Sequence, residues 1–137
     1  MIRVLVDTNV YVSALVFGGR PAVVLQLAES GAFELVVSAT IKAELIETLT
    51  TKFGWSARRA EQACRRLWDE ACWVVRPQEV QGSRDPDDDH VLSCALGAQV
   101  QAIVTGDQDL LALHPFRGVE VLAPAEFLAR RFWEKQA

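Results

Sequence analysis

The sequence has no hydrophobic run near the roughly 18 residues that a membrane-crossing helix needs. Its first apolar stretch, Ile2 to Val6, is too short for the core of a secretion signal, so a cytoplasmic protein is expected. Cysteine is scarce: Cys64, Cys72 and Cys94 are an odd number with no CxxC or Cys/His spacing, which argues against both a disulfide framework and a zinc centre. Buried, reduced thiols are the expectation, with Cys64 and Cys72 on one helical face. His90 and His114 are the only histidines, and neither lies in a Ser–His or Cys–His nucleophile pattern. No glycine-rich phosphate loop is present, which removes nucleoside-triphosphate chemistry. Positive charge is also short: 14 Lys and Arg against 18 Asp and Glu give a net charge of −4. The chain as a whole therefore does not advertise itself as a polyanion binder, although divalent ions held by carboxylates would reverse the sign locally.

What is present is enough for one domain with a real core: 137 residues, 50% of them hydrophobic. Two periodicities alternate along it. Short aliphatic or β-branched runs at 2–6, 34–37, 73–76, 102–104 and 119–122 read as buried strands. Helical patterns lie between them, at 8–16, 21–30, 39–52, 56–72, 87–98, 108–113 and 124–134. Gly18 and Gly19 separate the first two, and Pro21 suits the start of the second. Ile41, Leu45 and Leu49 form one apolar stripe, and Ser56 caps the helix after it. The stretch 77–87 lacks periodicity, and there is no internal repeat. Strands alternating with helices predict a three-layer α/β/α sandwich around a mainly parallel sheet. Ligands of such sheets bind beyond the carboxyl ends of the strands, where strand order reverses.

Acids fall at those junctions. Asp7 directly follows the first strand, the run from Asp85 to Asp89 opens the helix before the fourth, and Asp107 and Asp109 directly follow the fourth. Glu44 lies beside the apolar stripe of its helix, about 60° from Ile41 by the helical period. Taken singly, Asp7, Asp88 and Asp107 read as helix caps, and Glu44 as a surface residue at the margin of an apolar face. Taken together, carboxylates converging on one sheet edge repel each other and need compensation. Hard divalent cations with oxygen ligands, Mg²⁺ or Mn²⁺, suit such a set without His or Cys. Two other acidic α/β chemistries fit less well. A receiver-type phosphoacceptor wants paired acids after the first strand and a lysine after the last, where this chain has Val6-Asp7-Thr8 and Leu122-Ala123-Pro124. A haloacid-dehalogenase-type hydrolase wants Asp-x-Asp, and position 9 is Asn.

The chain resembles the PIN-domain family, especially the VapC-like toxin components of bacterial toxin–antitoxin pairs. The residues that carry the resemblance are Val4-Leu5-Val6-Asp7-Thr8-Asn9-Val10, then Ser38 with Glu44, then Asp85-Pro86-Asp87-Asp88 with Val91, Leu92 and Ala95. Ile103-Val104-Thr105-Gly106-Asp107-Gln108-Asp109-Leu110-Leu111 completes the series. The blocks keep the family's order and spacing over nearly the whole domain. The resemblance implies hydrolysis of RNA phosphodiester bonds by water that one or two Mg²⁺ or Mn²⁺ ions activate. It places Asp7, Glu44, Asp88 and Asp107 at the catalytic, metal-binding positions and Asn9 and Thr105 at polar positions that orient them. Asp89 and Asp109 rank as accessories. A small antitoxin partner and a homodimer are further implications. An RNA-processing or DNA-directed nuclease outside such a pair, or a non-catalytic interaction module, remain alternatives.

Arg58, Arg59, Arg65 and Arg66 fall within about 120° of one helix face, turned from its apolar stripe. They read either as a solvated face or as an RNA-backbone strip. Of the tryptophans, Trp68 fits an apolar stripe and Trp73 begins a strand, so core or dimer packing is expected for most of the four. The C-terminal helix, with Phe127, Leu128, Phe132 and Trp133, is a candidate dimer surface.

Overall fold

The computed structural model describes residues 1–74 and 86–135, without the side chains of 86–88 and 135. Residues 75 and 76 of the third expected strand, positions 77–85 of the aperiodic stretch and the side chain of Asp88 lie outside the described residues. Five strands form one parallel sheet in the order β3-β2-β1-β4-β5: β1 (Arg3–Val6), β2 (Glu34–Val37), β3 (Cys72–Trp73), β4 (Ala102–Val104) and β5 (Glu120–Leu122). The helices are α1 (Thr8–Val16), α2 (Gly19–Glu29), α3 (Ala39–Phe53), α4 (Ala57–Leu67), α5 (Pro86–Gly97), α6 (Gln108–Leu111), α7 (Pro124–Ala129) and α8 (Phe132–Lys135). Helix α1 packs on α2 and α3, and α3 on α4. With this strand order the right-handed rule for parallel crossovers assigns α1 to α4 to one face and α5 and α6 to the other, and α7 returns to pack on α2. The result is the expected three-layer sandwich.

Central position follows from composition. Val4, Leu5 and Val6 are fully buried, as a strand covered on both faces must be. β1 pairs with β2 through Leu5 opposite Val36 and with β4 through Val6 opposite Val104. Strand order reverses between β1 and β4. The next residues of those two strands' extensions, Asp7 and Thr105, therefore stand side by side, with the Asp7 N–H donating to the Val104 carbonyl at 2.9 Å. The stripe of α3 is buried as expected at Ile41, Leu45 and Leu49, between an N-cap at Ser38 and a left-handed Gly54 (φ 69°) that stops the helix. Among the described residues no single helix is long and apolar enough to cross a membrane.

Several expectations need correction. Helix α4 ends at Leu67, not near 72, because Trp68 takes the C-cap and turns its indole into the core. There its Nε1–H donates to the Tyr11 hydroxyl at 3.0 Å, with the rings edge-on at 5.2 Å. Cys72 then belongs to β3 opposite Val36 and does not share a helical face with Cys64. Trp73 ends that strand instead of opening it, and is 43% exposed. The C-terminal helix is broken in two by Arg131 in the left-handed region (φ 47°). The break folds Phe132 back beside Phe127, and both rings are buried. The apolar surface expected there for dimerisation is largely spent on the protein's own core.

Tyr11 and Trp68 supply a direct test of this packing. Replacing Tyr11 with Phe leaves the buried indole N–H without its acceptor, a loss of about 1–3 kcal/mol. Urea unfolding should show that loss; an unchanged midpoint would mean that the bond is dispensable.

Candidate active site

Asp7 is the N-cap of α1, and the residue is only 7% exposed. Three donors converge on it. Oδ1 accepts from the Thr8 N–H at 2.8 Å, while Oδ2 accepts from the Thr105 hydroxyl at 2.8 Å and from Asn9 Nδ2 at 3.0 Å. A carboxylate has about four acceptor positions, so among the described residues these bonds leave one open, on Oδ1.

Asn9 and Thr105 each reach further. The Asn9 side-chain oxygen accepts from the Gly106 N–H at 3.0 Å. A Cβ at position 106 would sit 3.4 Å from that oxygen, in van der Waals contact. Thr105, fully buried, accepts from the Asp107 N–H at 3.0 Å through the oxygen that donates to Asp7. Asp107 is the N-cap of α6 and accepts from the Asp109 N–H at 2.8 Å. Glu44 arrives from α3, half-buried, and accepts from the Thr8 hydroxyl at 3.1 Å.

Electrostatics set Asp7 apart. Burial, opposed by its hydrogen bonds and reinforced by the negative charge of Asp107, pushes its carboxyl above the usual aspartate range. Among the described residues no Lys or Arg pairs with Asp7 or Asp107. The donor set fits a hard divalent cation: oxygen ligands only, one open acceptor position on the buried carboxylate, and a like-charged neighbour that a cation would relieve. Among the described residues, however, no three His, Cys, Asp or Glu side chains stand close enough to hold a metal ion.

The structure thus brings together Asp7, Asn9, Glu44, Thr105 and Asp107. Asp88 falls in the first turn of α5, with its carboxylate outside the described residues. Asp89 is half-buried, and its carbonyl accepts from Ser93. Asp109 is exposed and supports Asp107 through its backbone N–H. Arg58, Arg59, Arg65 and Arg66 all lie exposed on α4, with Arg59 stacked 3.8 Å over the Trp55 ring. Arg65 joins Lys42 and Trp73 around a shallow pocket of about 340 Å³. A larger cavity of about 500 Å³, lined by Leu15, Leu25, Phe33 and Leu67 among others, lies elsewhere and includes none of the site acids.

The bridging role of Thr8 is not read from the sequence. Its backbone serves Asp7 and its hydroxyl serves Glu44, a pairing that exists only because α1 packs on α3.

The raised pKa has a consequence for stability. An acid whose folded pKa exceeds its unfolded value stabilises the fold while protonated and loses that contribution as pH rises through the folded pKa. In EDTA at neutral pH the ionised Asp7 therefore works against folding. We predict that Asp7→Asn melts at or above the wild-type Tm under those conditions, and that the difference shrinks as pH falls toward 4. Added Mn²⁺ should raise only the wild-type Tm. A less stable Asp7→Asn protein in neutral EDTA would contradict the assigned shift.

Comparison with known proteins adds three findings. The sequence profile described as PIN domain matches residues 3–109. No protein of curated function matches the chain. Among solved structures, the fold is similar to VapBC2 from Rickettsia felis, crystallised bound to a DNA fragment from their promoter. The TM-score there is 0.62 at 14% identity, over 88% of this chain and 97% of the other. It is also similar to FitAcB from Neisseria gonorrhoeae, with a TM-score of 0.55 at 17% identity over 89% and 98% of the two chains.

Proposed function

The chain belongs to the PIN-domain family, and from that premise we propose that it is a Mg²⁺- or Mn²⁺-dependent endoribonuclease, the toxin of a toxin–antitoxin pair. The observation that carries the reading is Asp7: a buried carboxylate with an acidic neighbour and no basic partner among the described residues, at the carboxyl end of the central strand. Capping alone does not account for it. In this same chain Ser56 caps α4 from an exposed position with one bond to Arg59 N. A cap of that kind contributes about 0.5–2 kcal/mol, without burying a charge opposite another.

In this reading Asp7, Glu44, Asp88 and Asp107 hold the cation. A bound ion of this class lowers the pKa of water and offsets charge developing on the scissile phosphate. Asn9 and Thr105 fix the rotation of the Asp7 carboxylate, so that the open lone pair on Oδ1 faces the site. Thr8 sets the separation of Asp7 and Glu44. The exposed arginines of α4 offer cations to the RNA backbone, away from a centre that is negative until it binds metal. The similarity to VapBC2 and FitAcB supports a small antitoxin as partner; a homodimer and a cytoplasmic setting complete the reading.

The decisive experiment incubates the partner-free protein with a mixed RNA pool and Mg²⁺ or Mn²⁺. Cleavage is expected, and should disappear both in EDTA and in folded Asp7→Asn. Full activity of a metal-replete Asp7→Asn protein would sink the mechanism. A folded protein that neither binds metal nor cleaves would return the acids to capping and favour a non-catalytic module. Replacing Arg58, Arg59, Arg65 and Arg66 together with Gln should flatten the salt dependence of RNA binding. Each lost phosphate contact on a single strand is worth roughly 0.7 in the log–log slope. An unchanged slope would make the arginines a solvated face.

A further inference from the structure

We infer that His90 is a positioning residue of the carboxylate centre, holding α5 against the β2–α3 corner through Ser38. The inference rests on the metal-nuclease reading and adds to it a tether for the helix that carries Asp88.

His90 Nε2 lies 2.9 Å from Ser38 Oγ and 3.4 Å from Cys94 Sγ. Ser38 is 3% exposed, and its oxygen accepts from the Ile41 N–H at 3.2 Å as the N-cap of α3. A hydroxyl has one proton and two lone pairs. The cap uses one lone pair, and the ring nitrogen takes either the proton or the remaining pair. One buried oxygen therefore fixes the start of α3 and the second turn of α5 at once.

The right-handed crossover rule puts the two helices on opposite faces of the sheet, and Ser38, which joins them, directly follows the carboxyl end of β2. Three residues beyond Ile41, α3 presents Glu44; two residues before His90, α5 carries Asp88. The bonds of Asp7 join α1 to the β4–α6 loop, and the Thr8 hydroxyl joins α1 to Glu44 on α3. The His90–Ser38 bond brings the remaining acid-bearing helix to the same edge. A Ser–His nucleophile does not follow from this contact, since Ser38 is buried and committed to its cap.

The test compares His90→Phe, which keeps a ring and loses the bond, with His90→Gln, whose amide keeps a hydrogen-bonding group at similar reach. Mn²⁺ affinity is read by EPR of the free ion, alongside kcat and KM on RNA and the Tm. His90→Phe should weaken Mn²⁺ binding about tenfold and lower kcat with KM little changed, and His90→Gln should restore most of both. Ser38→Ala should reproduce the loss, Ser38→Thr should escape it, and combining Ser38→Ala with His90→Phe should be little worse than either alone.

A folded His90→Phe protein with wild-type Mn²⁺ affinity and kcat would overturn the inference, whatever its Tm. So would a Gln variant no better than Phe. If His90→Phe does not fold, Ser38→Ala against Ser38→Thr decides by the same readouts. Wild type that binds Mn²⁺ no better than Asp7→Asn would defeat the carboxylate centre and this inference together. Wild type that binds Mn²⁺ but leaves RNA intact would defeat only the RNA reading, and the Mn²⁺ comparison would still decide the role of His90.

Discussion

Burying one carboxylate where the strand order reverses is the constraint from which the rest of this structure follows. Asp7 directly extends the central strand, so it cannot turn to solvent without leaving the edge of the sheet. Its charge loses most of its hydration and faces a second acid. Three hydrogen-bond donors offset part of that cost, and each comes with its own structural commitment. Thr8 requires α1 to start at once, Thr105 requires β4 to lie next to β1, and Asn9 requires Gly106 to come close.

Asp7 and Asp107 are caps and, in the proposed function, ligands. These roles are not in competition. An N-cap aspartate is held by a helix N-terminus at a defined rotation, which is a favourable starting point for a metal ligand. Asp7 and Asp107 obtain that rotation from α1 and α6. Glu44 is placed differently, a turn and a half into α3, by the Thr8 hydroxyl. Each acid is thus positioned by an element that also packs the core, and the centre needs no dedicated loop to build it.

Much of this was legible in the sequence because short buried strands and long amphipathic helices carry different periods. The bounds of α1, β2 and β4 follow directly from that alternation, as do Asp7 and Asp107 at strand ends and Glu44 beside an apolar stripe. What escaped depends on contacts between distant segments. The end of α4 is decided by the fit of Trp68 against Tyr11, 57 residues away. The break after α7 is decided by a left-handed arginine that composition does not mark. Ser38 and His90 stand 52 residues apart and follow no local pattern. A sequence reading names the residue types that can act; it does not say which of them meet.

The pairing of β1 with β4 also orders events in time. During synthesis the neighbour that completes the carboxyl edge of β1 is made about a hundred residues after β1 itself. Until then Asp7 lacks Thr105 and Asp107, two of the groups that define its surroundings. Contacts this distant in sequence carry a larger loop-closure cost and slow folding. Until Thr105 and Asp107 are made, a nascent chain therefore lacks part of the acidic centre of the proposed function. A fold that puts its first strand in the middle of the sheet completes the surroundings of Asp7 only once β4 has been added.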